Sequence, residues 1–417
     1  MERLRRVPPW VGGLFIVAVA GIFAGIGLDD VLGGGVALGI DYLPLRHAAE
    51  ALLDGRSIYS DPLFVYPPTA ALLLLPTALG SPSLGFAAWV LLGTAALLFA
   101  AWLIAREAPR HRPAVFGVAV MGLLGGVIAY RSSFLGNLSE LLVPVAVGVL
   151  LAFRRGRWTL GCALLAASLL VKPMLAPLVL VPLLSRQWLP LLNTMVPAGG
   201  LLLFAMGLMP GGDTFVSVFR YCLTGTNLHG ANAINNLSLR GWAEGQNAPH
   251  LLGVAASVVA LAAVVAVVAR QKPSPVRLGA ALLFATFLAG GISEVHFLLT
   301  GYAVVLLYLA VEGVPVRWFL PGLVLLAAPQ GYQDLILGPR TDGQSWLVTA
   351  ELLLLGALLF APAVARKPAL APQSQAPAVA QAPAVAQAPA VAQAPAVAQA
   401  PAVAQAPAVA PQAPAAA

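Results

Sequence analysis

Four stretches of this chain, Val11–Leu28, Gly85–Ala105, Leu251–Ala269 and Leu347–Val364, are nearly unbroken apolar runs. Each is close to the ~20 residues a helix needs to cross ~30 Å of hydrocarbon. Little polar surface is left to face water. Only 9% of the residues are charged and 59% are hydrophobic, whereas a soluble domain carries roughly 25% charged residues. Such a chain needs lipid as its solvent, and a soluble enzyme is excluded. The expected fold is all-α: a polytopic membrane protein of about 12 transmembrane helices.

The candidate spans are 10–28, 84–104, 114–130, 138–153, 159–171, 173–186, 188–209, 251–269, 276–291, 296–311, 317–329 and 346–364. The formal charge of +7 is spread over short clusters between these runs: Arg3, Arg5 and Arg6, then Arg106–Arg112, Arg154–Arg157, Arg270 with Lys272, and Arg366 with Lys367. That spread is how topology signals are arranged, and it argues against a nucleic-acid partner. With the N-terminus in the cytoplasm every basic loop falls inside, so the segment 67–83 must not cross. Its apolar part, Thr69–Gly80, would make only ~18 Å of helix. It reads as re-entrant, interfacial or part of the next span. The N-terminal run lacks a clear cleavage site and reads as the first span rather than a signal peptide. Both termini are then cytoplasmic in a multi-pass plasma-membrane protein. Three long loops, Asp29–Pro68, Pro210–His250 and Gln330–Ser345, share the outer face with the turn Arg131–Asn137. Loops of that length usually have a function.

Beyond the spans, the hexapeptide QAPAVA repeats six times from Gln375 to Ala410. Proline blocks helix propagation, and Ala and Val alone offer little to bury. Domain 1–365 is therefore expected to be transmembrane, and 366–417 a disordered, partly polyproline-II tail. Cys162 and Cys222 form no metal-ligand spacing. No metal or other cofactor is expected, although a divalent ion bridging a phosphate and a carboxylate stays open.

The first outer loop runs GIDYLPLRHAAEALLDGRSIYSDPLFVYPPTAALLLLP from Gly39 to Pro76. Leu43–Leu53 has the apolar spacing of a juxtamembrane amphipathic helix, closed by Asp54-Gly55. The order Asp41-Tyr42, a short helix, Gly55-Arg56-Ser57-Ile58-Tyr59 and Tyr66-Pro67-Pro68 resembles the membrane glycosyltransferases of family 87, in the C-type superfamily. Gly136-Asn137, Lys172-Pro173 within VKPMLAPLVLVPLLSRQW, and the Asn/Ser-rich NAINNLSLRG from Asn232 to Gly241 are further likenesses. Together they run from about residue 39 to 245.

Within the family, the stretch from Lys172 is most similar to the decaprenyl-phosphate arabinofuranosyltransferases that branch mycobacterial arabinan. Mannosyltransferases share the Asp, Y-P-P and K-P features. One departure is that Asp41 follows Ile40, where the arabinosyl relatives have paired aspartates. The resemblance implies an inverting transfer from a polyprenyl-phosphate sugar to a cell-envelope glycan or glycolipid at the outer face of the bilayer.

That chemistry needs a base for the acceptor hydroxyl and cations for the departing phosphate. Asp41 is the candidate base. Lys172, Arg240 and Arg131 are the candidate phosphate ligands, since an ionisable residue in an apolar run marks a site and Arg grips phosphate bidentately. Tyr42, Tyr59, Tyr66, Asn137, Asn235, Asn236, Glu294 and His296 are candidate substrate contacts. Each has a plainer reading. Asp41 could be a solvated loop acid, Lys172 could snorkel to head groups, and Arg131 could anchor lipid. Glu140 could pair with a neighbouring helix. Tyr66-Pro67-Pro68 could simply fix the direction of re-entry, and Asn235 and Asn236 could cap a loop. A transporter or lipid flippase remains the rival from another class, but no internal repeat of the transporter kind is visible in 1–364.

Overall fold

The computed structural model describes residues 39–125, 127–224, 236–246, 248–291, 293–327 and 343–361. The expected first span, Asn235, nearly all of the third long loop and the repeat tail lie outside them, as does the side chain of Arg131. The described residues are helical throughout, with no strand among them. Among the described residues, three helices are long and apolar enough to cross a membrane: Pro82–Arg106 (α3), Trp188–Leu208 (α9) and the Leu251–Val268 stretch of His250–Gln271 (α12). Many of their large side chains, among them Leu91, Leu203 and Val259, are exposed, as lipid-facing positions would be.

The remaining apolar helices are shorter. Arg112–Leu124 (α4) and Val127–Leu135 (α5) replace the single expected span 114–130. Ser139–Arg154 (α6) and Trp158–Leu169 (α7) follow. The expected span 173–186 is a 3-10 segment, Pro173–Val179, running into Leu180–Leu184 (α8). Pro177 inside it cannot donate to a helical ladder. Pro275–Ala289 (α13), Phe297–Glu312 (α14), Leu320–Ala327 (α15) and Gly343–Phe360 (α16) complete the bundle. Twelve full crossings are therefore not what the described helices show. The second long loop holds two further helices, Phe215–Thr224 (α10) and Leu239–Gly245 (α11). Both are too short for a hydropathy window to separate from loop.

Two buried clusters organise the packing. The larger joins α3, α4, α6, α7, α13, α14 and α16 through residues such as Leu97, Val143, Leu150, Phe284 and Leu307. The smaller one, at one end of the bundle, gathers Leu45, Ala48, Ile58, Phe64, Tyr66, Ala70, Leu74 and Leu138. It binds together Tyr42–Leu53 (α1), the loop after it and Pro68–Leu73 (α2). Helix α1 fits the expected amphipathic segment, and Gly55 ends it at φ +67°, where only glycine is unstrained.

Residues 68–78 make two short helical turns and no crossing. Arg46, 7% exposed, pins them to α1. Its guanidinium donates to the carbonyls of Thr77 (2.9 Å), Gly80 (3.0 Å) and Ala78 (3.5 Å), and its Nε donates to Glu50 (2.7 Å). These carbonyls end a short helix and have no backbone partner ahead of them. At the opposite end of the bundle Arg277 does the same for α16, donating to Leu358, Leu359 and Ala361. Arg154 and Arg155 both pair there with Glu107.

Arg46→Met keeps the aliphatic stem and removes the cap. Hydrogen bonds to a charged group contribute roughly 1.5–3 kcal/mol each, so the loss should cost about 3 kcal/mol once the carbonyls partly rehydrate. Thermal denaturation of the solubilised protein should show a clearly lower midpoint. An unchanged midpoint would mean the guanidinium adds nothing to the fold.

Candidate functional site

The site lies where five chain segments meet at the α1 end of the bundle. Asp41 sits at the N-terminus of α1, half-buried, with its backbone N–H on the Leu135 carbonyl (2.9 Å). The neighbouring turn is made by Gly136, at φ +73°, where an added Cβ would lie 2.7 Å from that of Tyr42. Glycine is thus required twice, for the left-handed backbone and for the close approach of α1.

Asn137 is the hub. Its Nδ2 donates to Asp41 Oδ2 (2.8 Å), while its Oδ1 accepts from Lys172 Nζ (3.1 Å) and from the Ser139 backbone (2.9 Å). The Ser139 bond is an Asx turn that opens α6. Lys172, 8% exposed, stands in extended backbone between α7 and the 3-10 segment. Its ammonium also donates to Ser139 Oγ (2.9 Å) and lies 3.2 Å from His296 Nε2. The rings of Tyr66 and Phe297 stand 5.4 and 5.0 Å from it, within cation-π range. His296 Nε2 is 2.8 Å from Glu294 Oε2, and the Glu294 side chain is 47% exposed. A chain of polar groups therefore runs from Asp41 through Asn137, Lys172 and His296 to Glu294.

Desolvation raises the Glu294 carboxyl, but His296 and Lys172 outweigh it and hold the acid down to about 2.

Its depth follows from helix lengths. Trp89 Nε1 donates to the Gly136 carbonyl (2.9 Å). Trp89 lies seven residues into α3 from Pro82, which is about 10 Å along a helix. At the other end Arg154 of α6 meets Glu107 at the end of α3 (2.8 Å). The two helices are flush there, so α6 is shorter than α3 only at the site end. The Asn137 turn is recessed behind the rim that α3 makes.

Of the residues singled out in the sequence, Asp41, Asn137, Lys172, Tyr66, His296 and Glu294 come together. Tyr42 is buried, with its hydroxyl on the Thr77 carbonyl (3.3 Å). Tyr59 donates to the Tyr66 carbonyl (2.7 Å) and braces the loop. Asn236 staples its segment to the loop before Glu294, donating to Gly291 (2.8 Å) and accepting from Ser238 (3.1 Å) and Ser293 (2.9 Å). Arg240 stands on α11 with its Nε 3.7 Å from Glu244. Glu140 accepts from Ser133 (2.7 Å) and packs on Gly93 of α3. No three His, Cys, Asp or Glu side chains among the described residues are gathered to hold a metal ion. Sequence reasoning missed Ser139 and Phe297. The Asn-x-Ser spacing at the head of an apolar run was the signal for Ser139.

The family model for Glycosyltransferase family 87 matches residues 64–293, more than half of the 417 residues. The match takes in Tyr66, Asn137 and Lys172; Asp41 precedes it, and Glu294 and His296 follow directly. No curated protein and no solved structure matches the chain.

One variant probes the cluster. Gly136→Ala should push α1 away and cost on the order of 1–3 kcal/mol from backbone strain alone. Its thermal midpoint should fall, and Gly148→Ala, whose added methyl meets only ordinary contact, serves as the comparison.

Proposed function

The chain belongs to glycosyltransferase family 87, and from that premise we propose that it is an inverting enzyme using a polyprenyl-phosphate sugar. Arabinofuranose on decaprenyl phosphate is the first choice, and the acceptor is a cell-envelope glycan or glycolipid. In this reading the site end is extracytoplasmic, about twelve helices cross the plasma membrane, and both termini are cytoplasmic. The observation that carries the reading is Asp41, held by the Asn137 amide, at the recessed junction of the loops.

The acceptor hydroxyl attacks the anomeric carbon and passes its proton to the Asp41 carboxylate. The bond from that carbon to the phosphate oxygen breaks, and the electron pair leaves with the lipid phosphate. One displacement inverts the centre, so a lone carboxylate suffices. Asn137 fixes the carboxylate so that one oxygen is held and the other is left for the acceptor. Lys172 fixes Asn137 in turn. Lys172 already donates to Asn137 and Ser139, so the departing phosphate needs cations beyond it. Arg240 and Arg131 are the proposed ligands, with Lys172 adding its field from behind. Mannose is the alternative sugar, supported by the Asp, Y-P-P and K-P features that both kinds of relative share.

Membranes carrying the chain should transfer label from decaprenyl-phospho-arabinose to short arabinan acceptors, with polyprenyl-phospho-mannose and mannan run in parallel. Asp41→Asn should lower transfer by at least ~10²-fold, the lower range of a general base, at equal expression. Transfer that survives the substitution removes Asp41 from the mechanism. Label from the mannose donor alone replaces the sugar.

A further inference from the structure

The outward side of α1 carries a second feature that the reaction above does not use. Between α1 and the loop behind it lies an open cleft of about 470 Å³, lined by His47, Glu50, Arg56, Ser60, Asp61 and Pro62. That size is within the range of small-molecule sites. The walls are braced. Ile58 and Phe64 are buried beneath the loop, and the Ile58 N–H bonds the Pro210 carbonyl (3.0 Å). Arg56 N–H bonds Ala51 (2.8 Å), and Asp61 Oδ1 accepts from the Leu63 N–H (2.9 Å). A cleft already fixed in shape loses little entropy when it is filled.

The polar groups lining it are engaged in pairs. His47 Nδ1 is 2.8 Å from Asp61 Oδ2 across the cleft. Arg56 meets Asp54 (2.7 Å), and Glu50 meets Arg46 (2.7 Å). Each pair still leaves hydrogen-bonding capacity: the second ring nitrogen of His47, lone pairs on Glu50 and Asp61, guanidinium protons on Arg56 and the Ser60 hydroxyl. A phosphate would face two carboxylates there, and a cation would face a guanidinium group. A neutral ligand rich in hydroxyls, each both donor and acceptor, fits such a lining.

The cleft is also set at a fixed distance from Asp41. His47 and Glu50 follow it by six and nine residues on the same helix, about 9 and 14 Å away along the axis.

We propose that this cleft is a remote acceptor subsite that binds a neutral sugar unit of the glycan, some units away from the hydroxyl that reacts at Asp41. The catalytic part of the inference rests on the transferase reading; the binding part does not. Binding energy from remote substrate units is available to position the reacting end. An acceptor too short to reach the cleft should gain nothing from it.

The test uses the full chain in lipid nanodiscs with the exposed pair His47→Ala and Arg56→Ala combined. Kinetics compare disaccharide and hexasaccharide acceptors. The double variant should raise KM for the hexasaccharide about tenfold, as losing one or two hydrogen bonds would, and leave kcat and both constants for the disaccharide unchanged. Equal changes for the two acceptors, or no change for either, would overturn the proposal. Without any donor, saturation-transfer NMR with a neutral arabinofuranosyl hexasaccharide and with mannohexaose reads binding directly. Signal from either in the wild type, lost in the double variant, supports the subsite even if no donor turns over and the transferase reading fails. Absence of signal from both in the wild type, or signal the variant keeps, overturns the subsite whatever the turnover.

Discussion

An ammonium group shielded from water is costly unless every one of its protons finds a partner. Lys172 is in that position, and much of the site end can be understood as the solution to it. Its acceptors, Asn137 and Ser139, stand at the head of α6, and the ring faces against it, Tyr66 and Phe297, come from the first loop and α14. Satisfying one buried charge therefore ties together α6, α14 and the first loop. The same bonds set the orientation of the Asn137 amide. With its oxygen committed to Lys172 and Ser139, only its NH2 can turn toward Asp41. The lysine thus governs the aspartate without touching it.

Apolar length made the long helices legible. The spans 84–104 and 251–269 fall within two residues of the observed α3 and α12. Patterning failed where helices are short or interrupted. Val127–Leu135 joins onto α4 in any hydropathy window, because nothing polar marks the break after Gly125. Helices α10 and α11 sit in a stretch too polar to score as spans and too short to score as amphipathic helices. The individual site residues were readable because charged and amide groups are conspicuous beside apolar runs. Their pairing was not, since periodicity carries no information about which distant segments meet. Arg46 shows the limit well. An arginine on an amphipathic helix reads as part of the wet face, yet this one is buried to close the carbonyl ends of a segment some thirty residues away.

The two buried clusters divide the labour between scaffold and site. The large one packs the long apolar helices α3, α9 and α12 together with the shorter ones. The small one combines four alanines with four leucine and isoleucine side chains and two aromatics, and lies directly under α1. Small side chains allow close backbone approach without large buried area. That arrangement places α1 accurately while leaving its attachment dependent on polar bonds such as those of Arg46.

Helix α3 also acts as a ruler. Trp89 near one end fixes the turn before α6, and Glu107 at the other fixes the end of α6 through Arg154. Inserting a single residue in α6 between these two fastenings would advance everything beyond it by ~1.5 Å and rotate it by ~100°. Either the Glu107 pair or the Trp89 bond would have to give, and Asn137 would leave the line between Asp41 and Lys172. The same insertion in the link between α3 and α4 would disturb neither fastening. In this chain, chain length between fixed points is as much a determinant of the site as the identity of the residues in it.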